Sequence, residues 1–193
     1  MTRRTQAERR EATRAALLTA ARELFAERGF VDTGREDIAE RAGVTRGALY
    51  HHFESKAAVG VAVLEALNRE LSDRVIAAAL TTEDPREQLH RSTRAYIEAC
   101  ADPGFARLIL EAPLMMSPDQ LRAMDDAVCA QLLEPTLARM DIETDHRITA
   151  RLVLGMLDEA AAVVAAHPRS KKRVIDTMDA LLTQMLSPGA RRP

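Results

Sequence analysis

The stretch Gly43-Val44-Thr45-Arg46-Gly47-Ala48-Leu49-Tyr50-His51-His52-Phe53-Glu54-Ser55-Lys56 puts a guanidinium, a phenol, two imidazoles, two aliphatic hydroxyls and an ammonium close together. A metal site is not expected from it. Helical ligands need spacings of three or four residues, whereas His51 and His52 are adjacent, and His90, His146 and His167 stand far off without a paired ligand. No Ser-His-Asp or Cys-His arrangement can be read, and G-x-x-x-x-G-K-[ST] is absent, so neither catalytic residues nor a cofactor are expected. Binding chemistry remains. On a helical wheel of about 100° per residue, placing Leu49 and Phe53 inward turns Gly47 and His51 directly outward, with Arg46 and Tyr50 on one flank and Ala48 and His52 on the other. Arg46 can pair with guanine O6 and N7, Thr45, Tyr50 and the imidazoles suit phosphates or bases, and Gly47 and Ala48 let the backbone approach base edges. Lys56, beside the free N–H groups of the next helix, suits a phosphate. Without its surroundings, Tyr50-His51-His52 would read simply as a solvated helix face.

Those surroundings are helical. Leu17, Leu18, Ala21, Leu24 and Phe25 recur at three- and four-residue spacing, predicting a helix from about residue 7 to Arg28 that Gly29 closes. A short helix from Glu36 to Ala42 follows. Gly43 breaks it, and Thr45 caps a third through His52. Ile38, Ala39, Ala42, Val44 and Leu49 then fall in helix-turn-helix register. Ser55 opens a long helix from Lys56 to about Leu80. Every proline lies at or beyond Pro85, several directly after a capping residue, as in Asp84-Pro85, Asp102-Pro103 and Ser117-Pro118. They predict helices at about 85–101, 103–112 and 118–139, with further ones from Thr144 to about 166 and over 170–186.

The composition agrees with an all-α fold: 47% hydrophobic, 29% charged, only 3% aromatic, few Gly and no Trp. Two cysteines, Cys100 and Cys129, are too few for a disulfide framework, and MTRRTQAERRE lacks the apolar core of a signal peptide, so a cytoplasmic location is expected. The most apolar run, Ala160 to Ala166, is far shorter than the roughly 18 residues a membrane span needs. The net charge of −2 is unevenly spread: residues 1–56 hold 11 Lys/Arg against 9 Asp/Glu, and the remainder 16 against 20. Arg3, Arg4, Arg9, Arg10 and Arg14 face only Glu8 and Glu11 in the first fourteen residues, so this end can meet a polyanion.

Arg41 to Phe53, followed by Ser55-Lys56, resembles the signature of TetR-type (tetracycline-repressor family) transcriptional regulators. The likeness extends back through Gly29-Phe30 and Ala20-Ala21-Arg22-Glu23-Leu24-Phe25 to about Thr13. It implies a three-helix DNA-binding domain, placed here at 1–55, and a helical effector-binding and dimerisation domain at 56–193. It also implies DNA contacts from Thr45, Arg46, Gly47, Ala48, Tyr50, His51, His52 and Lys56, beside the Arg3 and Arg4 read from charge. One departure stands out. Members commonly place Thr or Ser and an apolar residue before the second helix, whereas this chain has Thr33-Gly34-Arg35. Thr33 is therefore expected to cap through Thr33-x-x-Glu36, and Arg35 to supply the phosphate contact.

Beyond Lys56 the motifs thin out. Ile148, Leu152, Gly155, Met156, Ala162, Val163 and Ala166 form one stripe, and Val174, Met178, Leu181 and Met185 another. Both fit a four-helix interface between two subunits, or an ordinary core. Two-fold symmetry suits a palindromic operator. Leu108, Ile109, Leu114, Met115 and Met116 around Pro113 can line an adaptable pocket, with Glu111 and Asp158 as candidate polar anchors for a small-molecule effector. The same residues also suit plain core or solvated positions. The sequence thus predicts a homodimeric, ligand-responsive repressor of double-stranded DNA. Alternatives are an activator, a regulator controlled by a partner or thiol switch, and a helical enzyme or scaffold bearing a DNA-binding module.

Overall fold

A computed structural model of the chain describes residues 5–187. Among these every regular element is a helix. Helix α1 (Gln6–Arg28) opens on a reciprocal cap, with the Glu8 amide donating to Thr5 Oγ1 at 3.2 Å and the Thr5 amide to Glu8 Oε2 at 2.6 Å. It stops at Gly29, whose φ of +90° turns the chain away while its amide still donates to the Phe25 carbonyl at 2.9 Å. Helices α2 (Arg35–Arg41) and α3 (Arg46–His52) follow, joined through Gly43 at φ +66°, and the Val44 amide returns to the Ala39 carbonyl at 3.0 Å. Both pack on α1, burying Leu17, Phe25, Ile38 and Leu49. Helix α4 (Lys56–Ala79) begins at Ser55, whose Oγ accepts from the Ala58 amide at 3.0 Å.

The chain divides into two compact units, and the division is not a single cut. The first runs to Asn68 and takes in Arg107–Pro118, so the expected boundary after residue 55 falls inside it. The segment from 103 folds as α6 (Pro103–Leu110) and α7 (Ala112–Met115) rather than one helix to 112, with Glu111 between them. Pro113 has no N–H to give Ile109, and its ring excludes that carbonyl from a continuing helix. Met115 lies where a Cβ on Gly60 would stand, 2.8 Å from its Cγ and Sδ, so this segment sits directly on the α4 backbone.

The second unit holds the rest of α4, α5 (Pro85–Ala99), the first turn of α6, α8 (Pro118–Val128) from Asp119 on, α9 (Glu134–Leu137), α10 (His146–Ala166) and α11 (Lys171–Met185). Its core runs through Leu89, Ile97, Leu137, Val153, Val164 and Leu182. The expected helix at 118–139 is interrupted by a wider π turn, Cys129–Leu133, which the Glu134 amide closes onto the Cys129 carbonyl. Pro135 withholds the ordinary bond to Gln131, and the wider turn absorbs the misfit. Asp145, not Thr144, caps α10, its Oδ1 accepting from the Ile148 amide at 3.0 Å. The Thr144 hydroxyl instead meets that of Thr149 at 2.9 Å.

Both candidate stripes are partly outward. Ile148 and Leu152 are 60% and 59% exposed. On α11 the buried line passes through Ile175, Met178 and Leu182, so the expected stripe straddles its border, with Met178 inside and Leu181 and Met185 outside.

The turn at Gly29 is sterically particular, because a Cβ there would stand 2.9 Å from Glu111 Oε1 as well as at an unfavourable φ. Gly29→Ala is expected to destabilise the protein by about 1–3 kcal/mol, read as a shift in urea unfolding midpoint at unchanged m.

Candidate nucleic-acid interface

Helix α3 and its cap carry most of the residues singled out for DNA. Thr45 opens it, its Oγ1 accepting from the Ala48 amide at 3.2 Å. Leu49 and Phe53 are buried, while Thr45, Arg46, Gly47, Tyr50 and His51 are exposed and Ala48 and His52 half-buried. The inner edge anchors the helix and leaves the outer edge open. A Cβ at Gly47 would meet nothing nearer than Thr45 Oγ1 at 3.9 Å, and its φ is ordinary, so the fold itself does not demand glycine there.

Side chains from neighbouring elements arrange this face. The Arg35 guanidinium lies 4.4 Å from the Tyr50 ring centroid and donates from Nη1 to the Glu54 carbonyl at 3.3 Å. The Tyr50 hydroxyl donates to Glu36 Oε1 at 3.3 Å. The Glu36 carboxyl is held below the usual carboxylate range by a bond from its own backbone amide, then by Tyr50 and the charges of Arg46 and Arg35. Lys56 is more committed than its sequence position suggests. Its Nζ donates to the Phe30 and Val31 carbonyls at 2.8 and 3.1 Å, with the ammonium 4.4 Å from the Phe30 ring centroid.

Thr33 requires a correction. It is 1% exposed, and its hydroxyl donates to the Gly29 carbonyl at 2.7 Å, so it neither caps α2 nor faces a phosphate. Gly34 occupies the cap position, and its amide donates to Asp37 Oδ2 at 2.9 Å. Arg3 and Arg4 lie outside the described residues.

Two arginines of α1, Arg10 and Arg14, join the imidazoles. The Arg14 guanidinium stands 5.4 Å from the Phe53 ring centroid. Burial, then the charges of Arg10, His51 and Arg14, push the His52 imidazole below its ordinary value. Their i, i+4 spacing put both arginines on one face of α1, but only the folded α3 shows what that face meets.

The effector candidates divide between the units. Leu108, Met115 and Met116 are buried in the first. Glu111, also there, spends its carboxylate on the chain: Oε2 accepts from the Phe30 amide at 2.6 Å. Arg107 donates to the carbonyls of Ala26 and Glu27 at 3.2 and 2.9 Å. In the second unit, Asp158 Oδ1 accepts from the Tyr96 hydroxyl at 3.2 Å. Burial and the neighbouring Asp125 raise the Asp158 pKa, and burial raises that of Tyr96. Both cysteines are buried and free, and burial with the Asp158 charge pushes the Cys100 thiol up to about 12. Cys129 is raised chiefly by burial. Among the described residues, no helix is long and apolar enough to cross a membrane.

A short helix with an inner hydrophobic edge, set on two supporting helices by a glycine turn, defines a helix-turn-helix DNA-binding protein. Comparison with known proteins gives the family. Residues 17–63 match the model for bacterial regulatory proteins of the tetR family, and 86–187 that for the tetracyclin repressor-like C-terminal domain. The HTH-type transcriptional activator FasR of Mycolicibacterium smegmatis is 37% identical over 171 residues, covering 86% of this chain and 77% of that protein. The HTH-type transcriptional regulator TtgR of Pseudomonas putida is 40% identical over 112 residues, 58% of this chain and half of its own. A crystal structure of a TetR-family transcriptional regulator from Pectobacterium atrosepticum is 33% identical, with a TM-score of 0.79 over 95% of this chain and 98% of that one. The chain belongs to the TetR family of transcriptional regulators.

Because the folded state lowers the His52 pKa, the unfolded chain takes up a proton there first as pH falls. Stability from this site is complete above the ordinary imidazole range and is lost on acidification through it. Urea midpoints measured across that range should fall less steeply for His52→Gln than for the wild type.

Proposed function

We propose that this chain is a cytoplasmic, homodimeric repressor that binds a palindromic operator and leaves it when a small molecule binds. The carrying observation is the open face of α3, where Gly47 has no internal reason to be glycine and stands between Arg46 and Ala48, with Tyr50 and His51 alongside. A helix meant to press its backbone toward base edges needs that gap. Phosphate affinity is supplied by Arg35, Arg10, Arg14 and the imidazoles; base reading by Arg46, Tyr50 and the flanking small residues. The function is binding, not catalysis.

The outward side chains Ile148 and Leu152 on α10, with Leu181 and Met185 on α11, support self-association through these two helices. For the effector, Asp158 held by Tyr96 is the proposed polar anchor in the second unit. As a separate candidate, within the first unit alone, Leu108, Met115 and Met116 provide buried apolar packing that can readjust. Glu111 is read as a structural tie, since its carboxylate already serves Phe30. Binding would act by favouring the conformation that fits DNA less well.

The relative FasR is named as an activator, so the sign of regulation is tested by a reporter behind the DNA flanking this gene. Expression that rises on deleting the gene fits repression, and expression that falls refutes it. In electrophoretic shift assays on that DNA, Gly47→Ala should fold with equal or greater stability, by about 0.5–1 kcal/mol, yet bind more weakly. Arg46→Ala and Tyr50→Ala should also weaken binding; unchanged sequence-specific binding by all three would refute the reading of α3. Leu152→Glu should shift the protein toward monomer in sedimentation, with loss of tight operator binding.

A further inference from the structure

Tyr50 is the large ring on the open face of α3, and groups from α2 fix where it stands. Arg35 lies against one side, 4.4 Å from the ring centroid, and is itself anchored on the Glu54 carbonyl at 3.3 Å. Glu36 Oε1 accepts a hydrogen bond from the Tyr50 hydroxyl at 3.3 Å. The same carboxyl is held below the usual carboxylate range by its own backbone amide first, then by the Tyr50 hydroxyl and the charges of Arg46 and Arg35. An exposed carboxylate at a surface that meets phosphates weakens binding to every duplex alike. Its useful contribution must be one that differs between sequences, and orienting a base-facing side chain is such a contribution.

We propose that Glu36 is a positioning residue that sets sequence specificity: by accepting a hydrogen bond from the Tyr50 hydroxyl it fixes the ring for base reading, while its charge adds a penalty common to all duplexes that only well-read sequences offset. Without the acceptor, the ring is free to turn about χ1 and Arg35 loses its stacking partner, while the phosphate contacts survive. Specific binding then falls and nonspecific binding rises, a pattern that simple loss of structure does not produce. The inference rests on the DNA-reading role proposed for α3.

The test uses the full-length protein, a duplex that the wild type selects from a randomised pool, and a scrambled duplex of equal composition, all at one salt concentration. Glu36→Ala should lower the ratio of selected to scrambled affinity by about fivefold and tighten scrambled binding by about twofold. Glu36→Gln, which keeps an acceptor and removes the charge, should tighten scrambled binding similarly while retaining most of the effect of ring positioning. Tyr50→Phe should lower the ratio as Glu36→Ala does, and the double variant should fall no further. Thermal melts of the variants should match the wild type, because Glu36 is exposed. A ratio unmoved by Glu36→Ala, or fully additive losses in the double variant, would overturn the proposal. A pool yielding no shared sequence would overturn the DNA-reading role of α3 together with it, whereas a shared sequence bound with indifference to Glu36 overturns this inference alone.

Discussion

A helix that stops leaves carbonyls without an intrahelical partner, and at the end of α1 side chains from several elements take them up, some at the surface and some buried. The Ala26 and Glu27 carbonyls accept from Arg107, the Gly29 carbonyl from Thr33, and the Phe30 carbonyl from Lys56. The Phe30 amide finds the Glu111 carboxylate. Three of these partners are brought from later in the chain, so α4 and the 107–111 segment are fastened to one turn. An unpaired buried backbone group costs about 1–3 kcal/mol, a cost that bears on the Gly29 carbonyl and the part-buried Phe30 groups, while Arg107 adds its bonds at the surface.

The same arithmetic explains the division into units. Residues 107–118 join the helix-turn-helix part because their hydrogen bonds end there and because Gly60 lets Met115 reach the α4 backbone. Two side chains that looked like ligand-facing or phosphate-facing candidates, Glu111 and Lys56, both turn out to serve this turn. A charge on the surface of a sequence motif is not thereby a charge available to a partner. By contrast, Tyr50 and Arg46 keep their outward positions because Leu49 and Phe53, one turn apart, spend the apolar edge of α3 inward.

Much of this was legible because its causes are local. Thr45, Ser55 and Asp84 are caps, Gly29 and Gly43 supply positive φ, and proline marks helix starts, so the early helices fall within a residue or two of expectation. The outward face of α3 follows from periodicity alone. What escaped was nonlocal or fell between equivalent neighbours. Thr33 and Glu111 depend on partners that only folding brings together, the second across 81 positions. Thr144 and Asp145 are both good caps, and nothing local separates them. The π turn before Pro135 arises from a ring clash that a simple periodic reading passes over. On α11, one line of apolar residues covers both core and surface because a helical stripe is wider than the boundary it crosses.

The two thiols have a practical bearing. Cys100 and Cys129 are buried, and each is held more strongly protonated than a free cysteine, so the thiolate that alkylating reagents attack is scarce in the folded protein. The native chain is therefore close to a blank background for chemical labelling. A single cysteine placed on the solvent side of α3 would be the dominant reactive group at neutral pH, and a fluorophore or spin label there would report on α3 without any need to remove the native thiols from the core.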